Sequence, residues 1–288
     1  MKWLDGLSAV IVLALLGLTV FVWREILFGK PEEGTRMAFL DVGQGDAEIL
    51  FLPGGVKVLT DAGPDRKILS SLEQVLRADD RYVDLAIISH PQLDHFNGFN
   101  YLLDNYRFGA FIFNGRLDSE GAGEWQILIK KLESYKIPLI TVSRGDNIKY
   151  GNNEIDFLSP AAPYIQSAES NDTALVELIK TPLFRTLLAS DIGANIEDFL
   201  LSSGSELAAD ILKVPHHGSK FSSSEKFLGA VDPKVAVIEV GAGNSYGHPA
   251  EEALSRLTSA ASDIFRTDKN GTIEAVPTGK TLKIFTEK

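Results

Sequence analysis

"SHPQLDHFNG", residues 89–98, carries a histidine, four positions later an aspartate, and directly after that a second histidine. The pattern departs from the binuclear metal signature HxHxDH at one position, where Gln92 stands in place of the middle histidine. A buried strand pattern, "VDLAIIS", runs straight into His90. Functional loops are typically mounted at strand ends in this way.

The five histidines of the chain are His90, His95, His216, His217 and His248. Each follows a strand-like run and stands among turn-forming residues, in "IISHPQLDHFNG", "ILKVPHHGS" and "GNSYGHPA". One such histidine is more often a hydrogen-bonded structural residue than a ligand. Five together, with Asp94 and with "LLASD" ending at Asp191, point to a metal centre. His90, Asp94 and His95 on one tight loop offer nitrogen and oxygen donors to two adjacent cations, and Asp191 has two oxygens with which to bridge them. Two metals about 3.5–4 Å apart activate water and stabilise both entering and leaving oxygens. Asp94 and Asp191 are therefore the candidate catalytic carboxylates.

Outward from this loop, the chain divides into three parts. Leu7 to Trp23 contains no charged residue, and Trp3 and Trp23 lie 20 positions apart, roughly 30 Å of helix, which matches the hydrocarbon core of a bilayer. Residues 1–28 are expected to form a single transmembrane anchor and 29–35, "GKPEEGT", a linker. Residues 36–288 alternate strand and helix patterns in two strand-rich halves, an α+β chain with two sheets packed between helical layers. The expected location is the membrane, single-pass, with the large domain extracytoplasmic. A basic-residue count, Lys2 before the span against Arg24, Lys30 and Arg36 after it, would place that domain inside, but the rule is poor for long domains.

The 288 residues include no cysteine, which excludes disulfides, zinc–thiolate sites and cysteine nucleophiles. A net charge of −11 argues against broad electrostatic grip on nucleic acid, so contact with a polyanion must be local or metal-mediated.

The order "FLDVGQGDA" (39–47), "VLTDAG" (58–63), "SHPQLDHFNG" (89–98), "SNDTALVEL" (170–178), "LLASD" (187–191), "LKVPHHGS" (212–219) and "NSYGHP" (244–249) resembles the metallo-β-lactamase-like domain of the ComEC competence proteins. The resemblance implies a four-layer αββα sandwich with metals at the rim between the sheets. It also implies that Asp61 supports the metal loop, that His90, Asp94 and His95 form the main motif, that Asp191 is the bridging carboxylate, and that one of His216 and His217 is the final ligand. Asn171 and Asp172 fall where other superfamily members place a further histidine. Gln92 makes one site poorer in nitrogen, which favours harder cations: two divalent ions are expected, Mn2+ or Zn2+, with Mg2+ as a further option. The tighter site is expected around Asp94, His95 and the HHG histidine, the looser around His90 and Asp191.

Three further motifs complete the reading. In "DVGQGDA", Asp46 is a better site candidate than Asp41. In "YGHPAEE", Pro249 predicts a first helical position with His248 as cap, able to bind phosphate or protonate a leaving oxygen. Lys213 and Lys220 flank the paired histidines and supply scarce positive charge, with Ser219 and Asn244 on the same rim. The implied activity is metal-dependent hydrolysis of a phosphodiester, with single-stranded DNA as substrate and a separate DNA-uptake channel protein as partner. The alternatives are a hydrolase of small phosphodiesters such as choline phosphoesters, or of other esters or lactams, and a metal-binding assembly module without turnover.

Overall fold

A computed structural model of the chain describes residues 6–28, 34–118, 121–260, 263–279 and 281–288. Helix α1, Gly6–Phe28, precedes the strands; its large apolar side chains from Val10 to Trp23 are exposed, Leu13 at 68% and Val20 at 67%. Among the described residues, no helix is long and apolar enough to cross a membrane. Most of the expected linker, 29–33, and the first five residues of the expected anchor lie outside the described residues.

The first sheet contains β1 (Arg36–Phe39), β2 (Glu48–Leu52), β3 (Val56–Thr60), β4 (Tyr82–Ile88), β5 (Arg107–Phe113) and β6 (Leu139–Thr141). The second contains β7 (Asn147–Tyr150), β8 (Asn153–Ser159), β9 (Val176–Lys180), β10 (Arg185–Leu188), β11 (Ile211–Lys213), β12 (Val235–Ile238) and β13 (Asp263–Arg266). A C-terminal hairpin, β14 (Ile273–Thr278) and β15 (Thr281–Thr286), returns to the first sheet, giving the orders β15-β14-β1-β2-β3-β4-β5-β6 and β13-β12-β11-β10-β9-β8-β7.

Strand alternation divides the apolar side chains among three cores. Met37, Phe39, Leu50, Val58 and Ile87 face Ile179, Leu188, Ile211 and Val237 between the sheets. The neighbouring residues Ala38, Ile49, Leu59 and Ile88 face outward onto α2 (Lys67–Val75), α3 (Leu93–Phe96), α4 (Gly98–Leu102) and α5 (Ala122–Tyr135), which contribute Leu72, Phe96, Phe99 and Leu128. On the far side Leu178, Leu187, Leu212 and Ala236 pack on α6 (Ala194–Ser202), α7 (Glu225–Val231) and α8 (Glu251–Ser259) through Ile196, Leu200, Phe227 and Leu257. Fully burying each large apolar side chain contributes about 1.5–3 kcal/mol. Three cores between four layers make the αββα sandwich expected from the sequence. Strands β7, β13, β14 and β15 were not anticipated: they are edge or near-edge strands with largely half-exposed or exposed side chains, so their hydrophobic period is weak.

An acidic residue sits between the sheets. Glu177, on β9, is 1% exposed, and Thr60 Oγ1 is its hydrogen-bond partner at 3.2–3.3 Å. Burial, then the neighbouring Asp61, pushes its carboxyl up to about 8. The folded chain therefore holds this proton more tightly than the unfolded chain. The contribution to stability is fully present below the ordinary glutamate value and is lost as pH rises towards 8. Glu177→Gln is expected to flatten that loss, gaining a few kcal/mol relative to wild type between pH 5 and pH 8. Denaturant unfolding of both proteins at the two pH values checks this, and parallel pH profiles would exclude it.

Candidate metal centre

β3 runs parallel to β4, and β10, β11 and β12 run parallel to one another, so their C-terminal ends deliver loops to one rim. Asp61 follows β3, Ser89 and His90 follow β4, Ser190 and Asp191 follow β10, and His216 and His217 follow β11. The "GQGDA" turn between β1 and β2 meets the same rim, where Asp46 N donates to Asp94 O at 3.2 Å. Gly45 has φ +145°, and a Cβ there would lie 2.2 Å from Asp94 O, so only glycine allows this approach. Among the described residues, seven non-glycine residues have positive φ, and four of them, Asp61, Ser190, His216 and His217, are on this rim. Such strain costs about 1–3 kcal/mol per residue and persists where function requires a geometry.

Asp94, His95, Asp191 and His217 present one ligand atom each, all within 4.8 Å of one another. Asp191 Oδ2 lies 3.4 Å from both His95 Nε2 and His217 Nε2, and Asp94 Oδ2 lies 3.4 Å from His217 Nε2. Both Nε2 atoms are buried without a hydrogen-bond partner. Two orphaned imidazole nitrogens facing two carboxylates fit a divalent cation such as Zn2+ or Mn2+.

The other nitrogen of each ring is anchored. His95 Nδ1 is 2.8 Å from Asp61 Oδ2, which also accepts from Ser89 Oγ at 2.6 Å, while Asp61 Oδ1 accepts from Ser89 N at 2.8 Å. His217 Nδ1 donates to the Glu239 carbonyl at 2.8 Å. Partners of this kind fix the tautomer so that Nε2 points into the cradle. Burial pushes the His217 imidazole down, but Asp191 and Asp46 outweigh it and hold it at about 10. Burial likewise pushes Asp94 up, and His95 and His217 overcome this to hold it at about 2. The pocket is built to hold positive charge.

The other expected residues are distributed around this cradle. His90 Nε2 lies 2.9 Å from Gln92 Oε1 and its Nδ1 3.0 Å from Ser89 Oγ, while burial and then His95 lower it to about 4. His216 Nε2 is 3.9 Å from Asp191 Oδ2, with a side chain 35% exposed against 3% for His217, so the turn directs His217 inward. Asp46 and Lys213 form a fully buried ion pair beneath the cradle. Burial pushes Lys213 down, but Asp46, Asp191 and Glu48 outweigh it and keep the amine protonated. Asp41 instead pairs with Lys67 at 2.5 Å, away from this network. Asp172 accepts from Ser167 Oγ and Asn195 Nδ2, and Asn171 Oδ1 is buried without a partner. Asn244 staples its own loop, accepting from the Tyr246 and His248 N–H groups.

His248 does not cap a helix. The cap of α8 is Ala250, and the helix begins at Glu251, because the backbone at Ala250 is still extended, with ψ 149°. The His248 ring instead lies 5.8 Å from that of His216 and stacks on Tyr246 at 6.0 Å. Burial, then His217, lowers its imidazole below the ordinary value.

Two buried acids near Asp46 were missed. Glu239 Oε1 accepts from Ala47 N at 3.1 Å, and burial, then Asp46, pushes its carboxyl up to about 8; burial and then Glu239 raise Glu48. Their signal was a single acid inside an apolar strand, "AEILF" and "VIEVG".

No protein-family model matches the chain. It is 30% identical over 252 residues to ComE operon protein 3 of Bacillus subtilis (strain 168), covering 82% of this chain and 32% of that protein. It is 25% identical over 246 residues to competence protein ComA of Neisseria gonorrhoeae, covering 85% of this chain and 32% of the relative. The chain thus spans about a third of the length of these curated relatives. Among solved structures, the metallo-β-lactamase fold protein YhfI from Bacillus subtilis superposes with a TM-score of 0.54 at 14% identity, over 83% of this chain and 99% of YhfI. The chain therefore has the metallo-β-lactamase fold, and its sequence relatives are ComEC-like competence proteins.

Proposed function

We propose that the protein is a metal-dependent hydrolase that cleaves phosphodiester bonds in single-stranded DNA, held at the membrane by α1 with its catalytic domain extracytoplasmic and working beside a separate channel protein. The observation that carries the chemistry is the cradle of Asp94, His95, Asp191 and His217 with its two orphaned imidazole nitrogens. A divalent cation bound there would supply water activation and neutralise charge developing on a phosphoryl oxygen. Asp94 and Asp191 would hold the cation together with His95 and His217, Asp61 and the Glu239 carbonyl orient the imidazoles, and His248, neutral near pH 7, is available to donate a hydrogen bond to a substrate oxygen. The exposed apolar surface of α1 supports the anchor.

A cavity of about 940 Å³ opens beside His248, lined by Lys220, Phe221, Tyr246 and Arg256 among others. Phe221 and Tyr246 are 71% and 70% exposed. Aromatic faces with a nearby cation suit a base attached to a phosphate, and stacking of that kind contributes about 1–3 kcal/mol per base. Glu225, Glu251 and Glu252 line the same cavity, and carboxylates with aromatic rings also suit a quaternary ammonium, which favours choline phosphoesters as the second reading. Hydrolysis of a single-stranded oligonucleotide against glycerophosphocholine, each with Mn2+ and with Zn2+, separates them. Turnover of neither would remove the phosphodiesterase reading.

His248→Ala is expected to lower turnover about 10- to 100-fold, the value of one hydrogen bond to a charged group, about 1.5–3 kcal/mol. Metal content should not change, because His248 lies outside the cradle. Loss of metal in this variant, measured by elemental analysis, would contradict that role.

A further inference from the structure

The donors around the centre form one cradle, and a chain-borne cation stands next to it. Asp191 turns Oδ2 towards the two free Nε2 atoms at 3.4 Å, whereas its Oδ1 lies 3.6 Å from Lys213 Nζ. Lys213 is fully buried, contacts Asp46 Oδ2 and donates to the Ser190 carbonyl at 2.9 Å. We propose that the centre holds a single divalent cation, and that the Lys213 ammonium takes the place of a second one on the far oxygen of Asp191. This rests on reading the cradle as a metal site.

Three observations support it. His90 belongs to none of the groups of three or more His, Asp or Glu ligand atoms that close within 4.8 Å among the described residues. Its Nε2 is matched to Gln92 Oε1 at 2.9 Å, and its Nδ1 faces the Ser89 and Ser190 hydroxyls at 3.0 and 3.4 Å. A neutral imidazole has one donor and one acceptor; facing an amide oxygen, Nε2 is the donor and offers no lone pair to a cation, while Nδ1 accepts from the Ser190 hydroxyl, the Ser89 proton being committed to Asp61. The two other acidic groupings, Asp46 with Asp61 and His95, and Asp46 with Glu48 and Glu239, both depend on Asp46. Oδ2 of that carboxylate is already paired with Lys213 and its Oδ1 lies 3.3 Å from His217 Nδ1, and both oxygens of Asp61 are accepting from Ser89 and His95.

An ammonium fixed by the chain cannot dissociate, so the far oxygen of Asp191 keeps a positive neighbour whether or not metal is present. Lys213 is then a positioning residue, acting on the cation through Asp191. The purified full chain, demetallated and titrated with Mn2+, is expected to take up one equivalent by elemental analysis and to give the electron paramagnetic resonance spectrum of an isolated ion. Lys213→Met leaves Asp46 and Asp191 facing each other without a cation and is expected to draw in a second equivalent. Two equivalents with a spin-coupled spectrum in the wild type would overturn the proposal, as would a folded Lys213→Met protein with unchanged stoichiometry and affinity. If that variant does not fold, the wild-type spectrum alone decides. Absence of any Mn2+ or Zn2+ uptake would remove the metal centre itself, and loss of phosphodiester turnover with one bound equivalent would count only against the proposed substrate.

Discussion

Asp191→Asn is expected to reduce turnover about 1000-fold or more while the protein remains folded. The substitution preserves shape but removes the charge that lies 3.4 Å from both free imidazole nitrogens. A correctly held cation contributes several kcal/mol of charge stabilisation to the reaction, and about 1.4 kcal/mol corresponds to a factor of ten. Burial pushes the Asp191 carboxyl up, yet His217 and His95 hold it well below the ordinary aspartate range, so at neutral pH the native residue is an anion that asparagine cannot imitate. The fold should tolerate the change because Asp191 follows the end of β10 and belongs to none of the three apolar cores. Rates and metal content would be measured at saturating Mn2+ and Zn2+, with circular dichroism as the control for folding. A wild-type rate in the folded variant would remove Asp191 from the centre.

The sandwich was legible because its central strands read as apolar runs buried on both faces: in β4, for example, Ile87 enters the inter-sheet core while Ala86 and Ile88 face the helices. The motif order was legible through the resemblance to the ComEC-like domain, whose loops at the strand ends it matches one by one. Which of His216 and His217 points inward was not. Both residues are left-handed, at φ 50° and 52°, and the direction of each ring depends on a turn held by His216 N donating to Ser190 O, 26 residues earlier. Glu48, Glu177 and Glu239 were illegible for a different reason. An acid in an apolar strand looks the same in sequence whether it serves a network or an exposed face, and Glu239 meets its partner Ala47 across 192 residues. The cap assigned to His248 failed because Pro249 suits the first turn of a helix but does not oblige one to start there.

Asp61 carries the second large effect, although it is not in the cradle. Its Oδ1 accepts from Ser89 N, and its Oδ2 accepts from Ser89 Oγ and lies 2.8 Å from His95 Nδ1, so one carboxylate serves three donors. Asp61→Ala would orphan the Ser89 N–H and His95 Nδ1 in a fully buried setting, at about 1–3 kcal/mol each, leaving Ser89 Oγ with His90 Nδ1 at 3.0 Å as its nearest partner, and would leave a β-carbon in left-handed backbone, φ 54°, without the polar side chain that eases it. A loss of about 3–6 kcal/mol of stability is expected. Asp61→Asn isolates the functional part, because asparagine tolerates left-handed backbone and keeps the shape. Its amide has a single acceptor oxygen, so in either orientation its NH2 faces a donor: Ser89 N in one, Ser89 Oγ and His95 Nδ1 in the other. Without a fixed partner on Nδ1, the His95 ring is free to turn Nε2 away from Asp191 and Asp94. Metal affinity should fall about 10- to 100-fold, the usual result of losing an outer partner of a ligating histidine. Calorimetric titration of the demetallated variant with Zn2+, beside thermal unfolding, measures both effects. If Asp61→Asn bound Zn2+ as tightly as wild type while unfolding at a lower temperature, Asp61 would be a support for the β4 loop alone, with no part in orienting His95.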